Sequence, residues 1–459
     1  MSFTNLKTVF KGTLIHAPSK DKLDILENHI CGVNQDGKIE IIEPISSEKG
    51  KELLDTIKDS NVELIEMDQT QFLIPGFIDT HHHAPQYPYT GTACETPLFD
   101  WLNKYAFNYE SKFKELTFAR AVYSRQIRRA LKNGTTTGLY FLTIDLKASE
   151  LFVELLEEYG MRGFVGIPSL DQHGSAVYSC ETENSIRDVE AFVEFTLGKG
   201  NPLITPVVTP RFIPTCSNKL LQALGDIAER YNLPIQSHIS ESIAEVDFVH
   251  QLHDGKNDAD VFDSYKLLNN RTVLAHGTRL VDADLEILKS RGAAISHCPL
   301  SNSYFGNGSL SVKKLWRSGV KCGLGTDIAG GYSISMLSAI RQAVITSRFL
   351  EVARLEEDKT ADTTDSNSLQ LNYKEAFWLA TMGGAESLGI HNDVGSFEVG
   401  KSLDALLVDL SNFEDNESLE NPIELFVYDT IEDAFQKFIH VGDDRNIKEI
   451  WVQGRKIQI

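Results

Sequence analysis

The chain of 459 residues lacks the features of a disulfide-stabilised or membrane-inserted protein. Its six cysteines are scattered and form no CxxC pair, which is typical of free thiols in a reducing compartment. No apolar run reaches about 18 residues, the length expected of a transmembrane helix. Met1–Phe10 contains no apolar segment of signal-peptide length. We therefore predict a soluble, cytoplasmic protein.

Basic residues are also scarce, because 44 Lys and Arg stand against 65 Asp and Glu and give a formal net charge of -21. A protein this negative is repelled by phosphate backbones and by anionic lipid. The charge argues against nucleic acid or a membrane surface as a partner and predicts a small molecule as the ligand. Hydrophobic residues make up 42% and charged residues 24%, which excludes a disordered or fibrous chain.

The middle of the chain alternates short apolar segments with amphipathic helical segments. The predicted strands are Phe72–Ile78, Thr135–Phe141, Gly163–Ile167, Leu203–Thr209, Pro234–Ser237, Thr272–Ala275, Ala293–Ser296 and Lys321–Gly325. This α/β pattern is typical of a (β/α)8, TIM-like barrel. A doubly wound open sheet is the competing topology, because alternation alone does not establish closure. No glycine-rich nucleotide motif follows the first strand to support that alternative.

Both ends of the chain are rich in strand-like segments. The turn dipeptide Asp36-Gly37 separates two extended segments near the N-terminus, and Asp404–Asp409 is a short apolar run near the C-terminus. We predict a small β-sandwich domain built from residues 1–71 and 390–459, beside a barrel domain of residues 72–389. The polar segment Asp358–Ser368 is predicted to be a surface loop.

Polar residues suited to metal or substrate binding follow most of the predicted strands. They are His81, His83, Arg211, His238, Glu241, His276, His297 and Asp327. In a barrel the C-terminal ends of all strands meet at one face, where the loops build the active site. Five of the 13 histidines fall at such strand ends, which indicates a functional site.

The pair His81 and His83 is the most specific element of this set. In an extended backbone, residues i and i+2 point to the same side, so both imidazoles can face one metal ion while His82 faces away. An isolated pair of this kind fits a polar strand end without a ligand equally well. Together with His238 and Asp327, however, it gives three imidazoles and one carboxylate, a set suited to zinc or ferrous iron.

We predict one metal ion rather than two. A second ion would call for a bridging ligand, such as a carboxylated lysine at the end of the fourth strand, where this sequence has Thr209-Pro210-Arg211. The predicted ligands leave a coordination position for water. A bound metal lowers the pKa of that water to about 7.

Glu241 and His276 are predicted to act on this water. Alone, Glu241 is most simply a residue of a helical first turn, but beside an activated water it becomes the natural proton shuttle. His276 is either a further ligand or the group that orients the water, and we favour the second role because four ligands are already named. For His297, a buried structural histidine and a functional one are equally compatible with the sequence.

Arg211 and Gln86 are suited to holding the exocyclic oxygen of a polar heterocycle. A guanidinium is planar and always charged, and an amide offers both a donor and an acceptor. Trp101 and Phe212 are suited to stacking on a flat ring. A surface ion pair for Arg211, and ordinary core packing for the two aromatic residues, are the simpler alternatives.

These motifs resemble the amidohydrolase superfamily. The matching segments are Pro75–Tyr87, Leu102–Tyr105, Asn133–Thr137, Val208–Phe212, Gln236–Glu241, Ala275–Gly277, Gly323–Asp327 and Gly442–Asn446. The paired histidines, His238 and Asp327 are shared by many members. The runs His83–Tyr87, Thr209–Phe212 and Gly442–Asn446 are similar to the branch of metal-dependent aminohydrolases that acts on guanine.

The resemblance implies one zinc ion (Zn2+) per subunit, bound by His81, His83, His238 and Asp327. It implies proton transfer by Glu241 and deprotonation of the water by Asp327. His276, at its strand end, is the third predicted catalytic group. The implied substrate contacts come from His83, Ala84, Pro85, Gln86, Arg211, Phe212, His238, Glu241 and Asp327.

The implied activity is hydrolytic deamination of guanine to xanthine and ammonia by a cytoplasmic homodimer. The nearest alternative is deamination or dechlorination of another purine or of a triazine ring. A different class is a metal-free scaffold that has lost catalysis. The presence of all four predicted ligands favours an enzyme over such a scaffold.

Overall fold

A computed structural model of the chain describes residues 5–58, 60–175, 177–306, 308–358, 362, 366–411 and 421–459. The strands are β1 (Leu6–Ser19), β2 (Lys22–Asn34), β3 (Ile39–Pro44), β4 (Glu63–Glu66), β5 (Gln71–Pro75), β6 (Phe77–His83), β7 (Thr135–Phe141), β8 (Arg162–Gly166), β9 (Pro168–Ser169), β10 (Ile204–Pro206), β11 (Thr209–Pro210), β12 (Ile235–Ile239), β13 (Thr272–His276), β14 (Ala294–His297), β15 (Lys321–Leu324), β16 (Ala405–Asp409), β17 (Ile447–Val452) and β18 (Arg455–Lys456).

Helices occupy the segments between most of the strands in the middle of the chain. They are α1 (Glu48–Ile57), α2 (Leu98–Trp101), α3 (Phe107–Glu110), α4 (Leu116–Lys132), α5 (Leu146–Tyr159), α6 (Thr182–Gly198), α7 (Asn218–Tyr231), α8 (Ile243–Leu252), α9 (Asp258–Ser264), α10 (Asp282–Arg291), α11 (Pro299–Tyr304), α12 (Val312–Ser318), α13 (Met336–Glu357), α14 (Tyr373–Leu379), α15 (Met382–Leu388) and α16 (Ile431–Val441). Short 3₁₀ helices span Ala84–Tyr89, Ser111–Lys114, Ile213–Thr215 and Asp444–Asn446, and a π-helical turn spans Leu102–Ala106.

Strands from both ends of the chain form one eight-stranded sheet, which we call the terminal sheet. Its order is β18-β17-β16-β5-β1-β2-β3, with β4 paired to β1. Strand β5 pairs with β1 in parallel and with β16 in antiparallel fashion. The two termini therefore contribute to a single sheet, which is mixed because it joins hairpins to a crossover strand.

The middle of the chain forms parallel sheets with the orders β10-β8-β7-β6 and β12-β13-β14-β15, together with the pair β11-β9. The loop after β15 bonds to β6, because Asp327 N donates to the His81 carbonyl at 2.9 Å and His83 N donates to the Ile328 carbonyl at 3.0 Å. On the other side, Val208 bridges in parallel to Ile235 at the start of β12. The carboxyl ends of the strands thus converge on one region.

Local sequence explains where the connecting helices begin and end. The Asp145 side chain accepts a hydrogen bond from Ala148 N and caps α5, which ends at Gly160 with φ 70°. Ser217 caps α7 in the same way through Leu220 N, and Asn232 ends it with φ 51°. These polar caps satisfy amides that have no partner inside the helix. Apolar residues of both helices, such as Leu155 and Leu224, are buried.

The predicted boundaries need two corrections. The segment Phe72–Ile78 is not one strand, because Gly76 separates β5 of the terminal sheet from β6 of a parallel sheet. The segment Leu203–Thr209 is not one strand either, because β10 pairs with β8 and β11 pairs with β9 in a separate sheet. Of the predicted loop Asp358–Ser368, residues 359–361 and 363–365 lie outside the described residues.

The described residues contain no helix with both the length and the apolar character needed to cross a bilayer. All six cysteines are free thiols, and five of them are buried. The expectation of unpaired cysteines is therefore confirmed.

Candidate active site

Strands β6, β12 and β13 and the loop after β15 bring the predicted ligands together. His81 and His83 lie on β6, His238 lies on β12, and His276 is the last residue of β13. Asp327 follows β15, and the hydrogen bond from its N–H to the His81 carbonyl holds it beside β6. All five side chains are buried. The structure therefore brings these five predicted residues to one place.

The ligand atoms form two overlapping groups, His81 with His83 and His238, and His81 with His276 and Asp327, each with all its ligand atoms within 4.8 Å. The Nε2 atoms of His83 and His238 are 3.1 Å apart. Asp327 Oδ1 lies 3.2 Å from His81 Nε2 and 3.6 Å from His83 Nε2. His81, His83, His238 and Asp327 are the predicted metal ligands, and we call these four side chains the cluster.

The chemistry of these donors fits a divalent cation. His238 Nδ1 donates to the Arg211 carbonyl at 2.5 Å, so the Nε2 atom of His238 carries a lone pair that faces the cluster. His81 Nε2 is buried, and its contact with Asp327 Oδ1 does not have the geometry of a hydrogen bond. Burial lowers the pKa of His81, His83 and His238 well below 6.5, which keeps the imidazoles neutral. Neutral imidazoles whose Nε2 atoms converge offer the nitrogen donors that a metal ion requires.

Glu241 and His276 lie at the edge of this cluster. His276 Nε2 is 3.6 Å from Glu241 Oε2 and 3.9 Å from Asp327 Oδ2, and His276 Nδ1 is 2.9 Å from Asn302 Oδ1. Because His276 contacts both carboxylates, its position is compatible with both predicted roles, a ligand or a group that orients water. The two oxygens of Asp327 face different partners, the histidines of β6 and His276.

A cavity of about 580 Å³ opens beside the cluster. Its lining residues are His83, Gln86, Leu98, Trp101, Leu102, Arg211, Phe212, His238, Glu241, Ser242, Glu245, His276, Phe305, Asp327 and Gly330. This space includes open solvent at the mouth of the cavity. Of the predicted substrate contacts, Ala84 and Pro85 are absent from this lining, because they are buried in the 3₁₀ helix that follows β6. The other predicted contacts all reach the cavity.

Arg211 and Gln86 form one side of the cavity, which we call the recognition side. Glu110 holds both of these side chains, and sequence reasoning missed it. Its carboxylate accepts from Arg211 Nη1 at 2.8 Å, from Arg211 Nη2 at 3.2 Å and from Gln86 Nε2 at 2.9 Å. The amide oxygen of Gln86 accepts from Ala329 N at 3.2 Å. Both recognition side chains are therefore fixed before a ligand binds. Arg211 is buried and does not form the surface ion pair that was the simpler alternative.

His82 faces away from the cluster, as the alternation along β6 predicts. Its Nδ1 lies 3.2 Å from Asp79 Oδ2, and its Nε2 lies 3.0 Å from the side-chain amide of Gln126. Asp79 also accepts from Thr326 N at 2.9 Å and from His81 N at 3.2 Å. This buried network ties the histidine strand to the residue that precedes Asp327.

His297 is buried at the end of β14 and is not among the residues lining the cavity. Burial lowers its pKa to about 3, and its Nδ1 has no hydrogen-bond partner. The position provides no contact that assigns it a function.

Residues 72–457 match the sequence model of the amidohydrolase family. The chain is 41% identical to the guanine deaminase of Mus musculus over 458 residues, covering 98% of this chain and 97% of that protein. It is 40% identical to the guanine deaminase of Dictyostelium discoideum over 465 residues, covering all of both chains. Its structure is similar to that of a guanine deaminase from C. acetobutylicum with bound guanine, with a TM-score of 0.87 and 31% identity, covering 99% of this chain and 100% of that one.

Proposed function

The chain belongs to the amidohydrolase family, and we propose that it catalyses the hydrolytic deamination of guanine to xanthine and ammonia. Relatives of about 40% identity over the whole chain are guanine deaminases. The observation that carries the proposal is the joint geometry of the cavity. Arg211, Gln86 and Phe212 line it beside a buried cluster of three histidines and Asp327.

We propose that His81, His83, His238 and Asp327 hold one zinc ion. When bound, zinc lowers the pKa of a water molecule to about 7 and so makes hydroxide available at neutral pH. The neutral imidazoles keep their lone pairs free for this ligand role. The Arg211 carbonyl fixes the tautomer of His238 that turns Nε2 toward the cluster.

The recognition side of the cavity is proposed to orient the ring. Arg211 and Gln86 donate to the exocyclic oxygen of guanine through the N–H groups that Glu110 does not use. Phe212 and Trp101 pack against the faces of the ring. This orientation brings C2 toward Asp327 and Glu241.

Glu241, Asp327 and His276 are the proposed proton-handling groups. Asp327 takes a proton from the attacking water, and His276, which contacts both carboxylates, orients that water. Glu241 delivers a proton to N3 as the bond between oxygen and C2 forms. The proton held by Asp327 then passes to the amino group at C2 while the hydroxyl of the adduct returns a proton to Glu241, so that the C–N bond breaks and ammonia leaves.

The test is incubation of the purified protein with guanine while xanthine and ammonia are measured, with and without a chelator. Guanine turnover that stops on metal removal and returns with zinc supports the proposal. Adenine and a chlorotriazine serve as parallel substrates. If ammonia is released faster from adenine, or chloride faster from the chlorotriazine, than ammonia is released from guanine, that compound becomes the proposed substrate in place of guanine. No stoichiometric metal and no turnover would favour the scaffold alternative.

We also propose that the parallel strands close into a (β/α)8 barrel within residues 72–389. The bonds of the loop after β15 to β6, and the bridge of Val208 to Ile235, support closure on both sides. Residues 1–71 and 390–459 are proposed to form the separate β-sandwich domain around the terminal sheet, to which β5 also contributes.

A cytoplasmic homodimer is the proposed assembly. Helix α13 exposes Ile345, Phe349 and Val352, which are 46%, 72% and 52% accessible and share one face by helical spacing. Exposed apolar faces of this kind are typical of interfaces between subunits. Light scattering of the purified protein measures the assembly, and a monomer at micromolar concentration would contradict it.

A further inference from the structure

The recognition side of the cavity carries a buried charge pair rather than a free cation. Arg211 is the cation that lines the cavity there, and Glu110 lies directly behind it with two hydrogen bonds to the guanidinium. Both side chains are buried. Bidentate pairing of this kind is the strongest arrangement that a guanidinium forms with a carboxylate.

The guanidinium is fixed on its faces as well as on its edge. Its Cζ lies 5.1 Å from the ring centre of Phe107 and 5.8 Å from that of Tyr178. Burial acts to lower the pKa of Arg211, but the charge and hydrogen bonds of Glu110 outweigh it and raise the pKa above its ordinary value. Burial also raises the pKa of Tyr89 and Tyr178, so these neighbouring phenols stay neutral. The local charge is therefore that of one ion pair.

We propose that Glu110 is a positioning residue that sets the charge preference of the site, so that it binds neutral purines and disfavours anionic ones. This inference rests on the proposed function of the cavity. A lone buried guanidinium would attract any anion in a medium of low dielectric constant. Paired with Glu110, it offers directed N–H groups without a net positive charge, which matches a neutral carbonyl acceptor.

This charge preference has a consequence for product release. Xanthine has one more carbonyl group than guanine, so its ring N–H groups are more acidic and it ionises more readily. A site with an unpaired cation would retain the ionised product. The Glu110–Arg211 pair removes that attraction while keeping the contacts needed for the neutral substrate.

Two probes that differ in charge but not in shape test the inference. Purine-6-carboxylate is an anion, and purine-6-carboxamide is its neutral isostere. We expect the zinc-loaded wild-type protein to bind the carboxamide more tightly by calorimetry. In Glu110→Gln, the ratio of the two dissociation constants should shift toward the carboxylate by at least about tenfold, because Arg211 is then uncompensated.

Three further variants separate charge from structure. Glu110→Asp keeps the carboxylate and should keep the wild-type preference. The double variant Glu110→Gln with Arg211→Gln removes both charges and should abolish the tightened binding of the carboxylate even if both variants lower stability. Glu158→Gln is the matched control, because it removes the same charge from an exposed pair with Arg120 and should leave the ratio unchanged.

The outcomes distinguish this inference from the proposed function. If the wild-type protein turns over guanine but Glu110→Gln keeps the wild-type ratio, the inference is overturned and the function stands. If the wild-type protein neither deaminates guanine nor binds either purine, both fail. In Glu110→Gln we also expect KM for guanine to rise more than kcat falls, because the substrate loses orientation at Arg211 and Gln86.

Discussion

The side chains at the site have two proposed roles, metal ligation and proton transfer, and Asp327 has both. His81, His83 and His238 are neutral and face one another, whereas Glu241 and Asp327 each contact His276. The division follows from burial, which removes charge from imidazoles and raises the pKa of the Asp327 carboxyl. The same few residues therefore supply both lone pairs and a base.

Replacing Glu241 with Gln should abolish turnover while leaving metal content unchanged. The amide keeps the shape of the side chain but cannot carry a proton, and general acid–base catalysis typically contributes about 10²–10⁴ in rate. Metal analysis and guanine turnover on the same preparation check this. Glu158→Gln is the exposed control and should retain activity. Turnover within about twofold of wild type in Glu241→Gln would remove Glu241 from its proposed role.

At the scale of single residues, the sequence predicts the metal ligands better than it predicts which side chains contact one another. The histidine pair, His238 and Asp327 could be found because polar residues that interrupt apolar strands are conspicuous. Glu110 could not, because nothing in its local sequence points to Arg211, which lies 101 residues away. The contact exists only because the π-helical turn and α3 carry Glu110 behind the end of β11.

Individual helices are held by close contacts as well as by caps. Gly225 lies in α7 where a Cβ atom would overlap the Tyr265 carbonyl oxygen, whereas Gly198 ends α6 with nothing within 4 Å of the same position. The first helix packs against a neighbouring backbone segment, and the second ends in open space. These two glycines therefore have opposite tolerance to a methyl group.

Gly225→Ala should destabilise the protein by about 1–3 kcal/mol, because overlap with backbone outweighs the gain of about 0.5–1 kcal/mol that alanine gives a helix. Gly198→Ala is the matched control and should be neutral or slightly stabilising. Urea unfolding of both variants beside wild type measures the difference. Equal midpoints for the two variants would contradict the packing argument.

Elements with a clear pattern were predicted, and those without one were missed. Strands β7, β12 and β13 are short buried runs between helices, so their positions followed from the sequence. Helix α13 was not predicted because apolar residues occur on its buried and its exposed sides, which hides the helical period. Helix α16 was missed because strand-like segments on both sides dominate that region.

On the scale of the whole molecule, buried polar pairs join the parallel sheets to the terminal sheet. Arg162 on β8 donates to Asp404 at 3.3 Å through both Nε and Nη2, just before β16 begins. Asp404 Oδ1 also accepts from Gln453 N at 2.8 Å. Separating the two parts would leave these charges unpaired, which costs more than an exposed ion pair would.

The terminal sheet also contains a buried histidine that ties stability to pH. Burial lowers the pKa of His16 from 6.5 to about 4, although Asp24 nearby acts to raise it. Between pH 6.5 and about pH 4, His16 takes up a proton in the unfolded chain but not in the folded chain. Stability is therefore complete above pH 6.5 and falls as the pH drops toward about 4, by roughly 3 kcal/mol in total.

His16→Asn should flatten this part of the pH profile, because asparagine does not titrate and keeps an acceptor near Phe397 N. Unfolding free energies measured from neutral pH down to about pH 4 for wild type and variant give the two slopes. His29→Asn replaces a histidine on the neighbouring strand and should keep the wild-type slope. A parallel decline in wild type and His16→Asn would place the acid sensitivity elsewhere.

One residue, Gly76, separates the last paired residue of β5 from the first residue of β6. A side chain at Gly76 would collide with Thr136 of β7, so the crossing is tight as well as short. No flexible linker therefore separates β6, which carries His81 and His83, from β5 of the terminal sheet. Trimming the chain to its catalytic middle would leave His81 and His83 on a fraying end, so this enzyme cannot be shortened into a minimal module from that side.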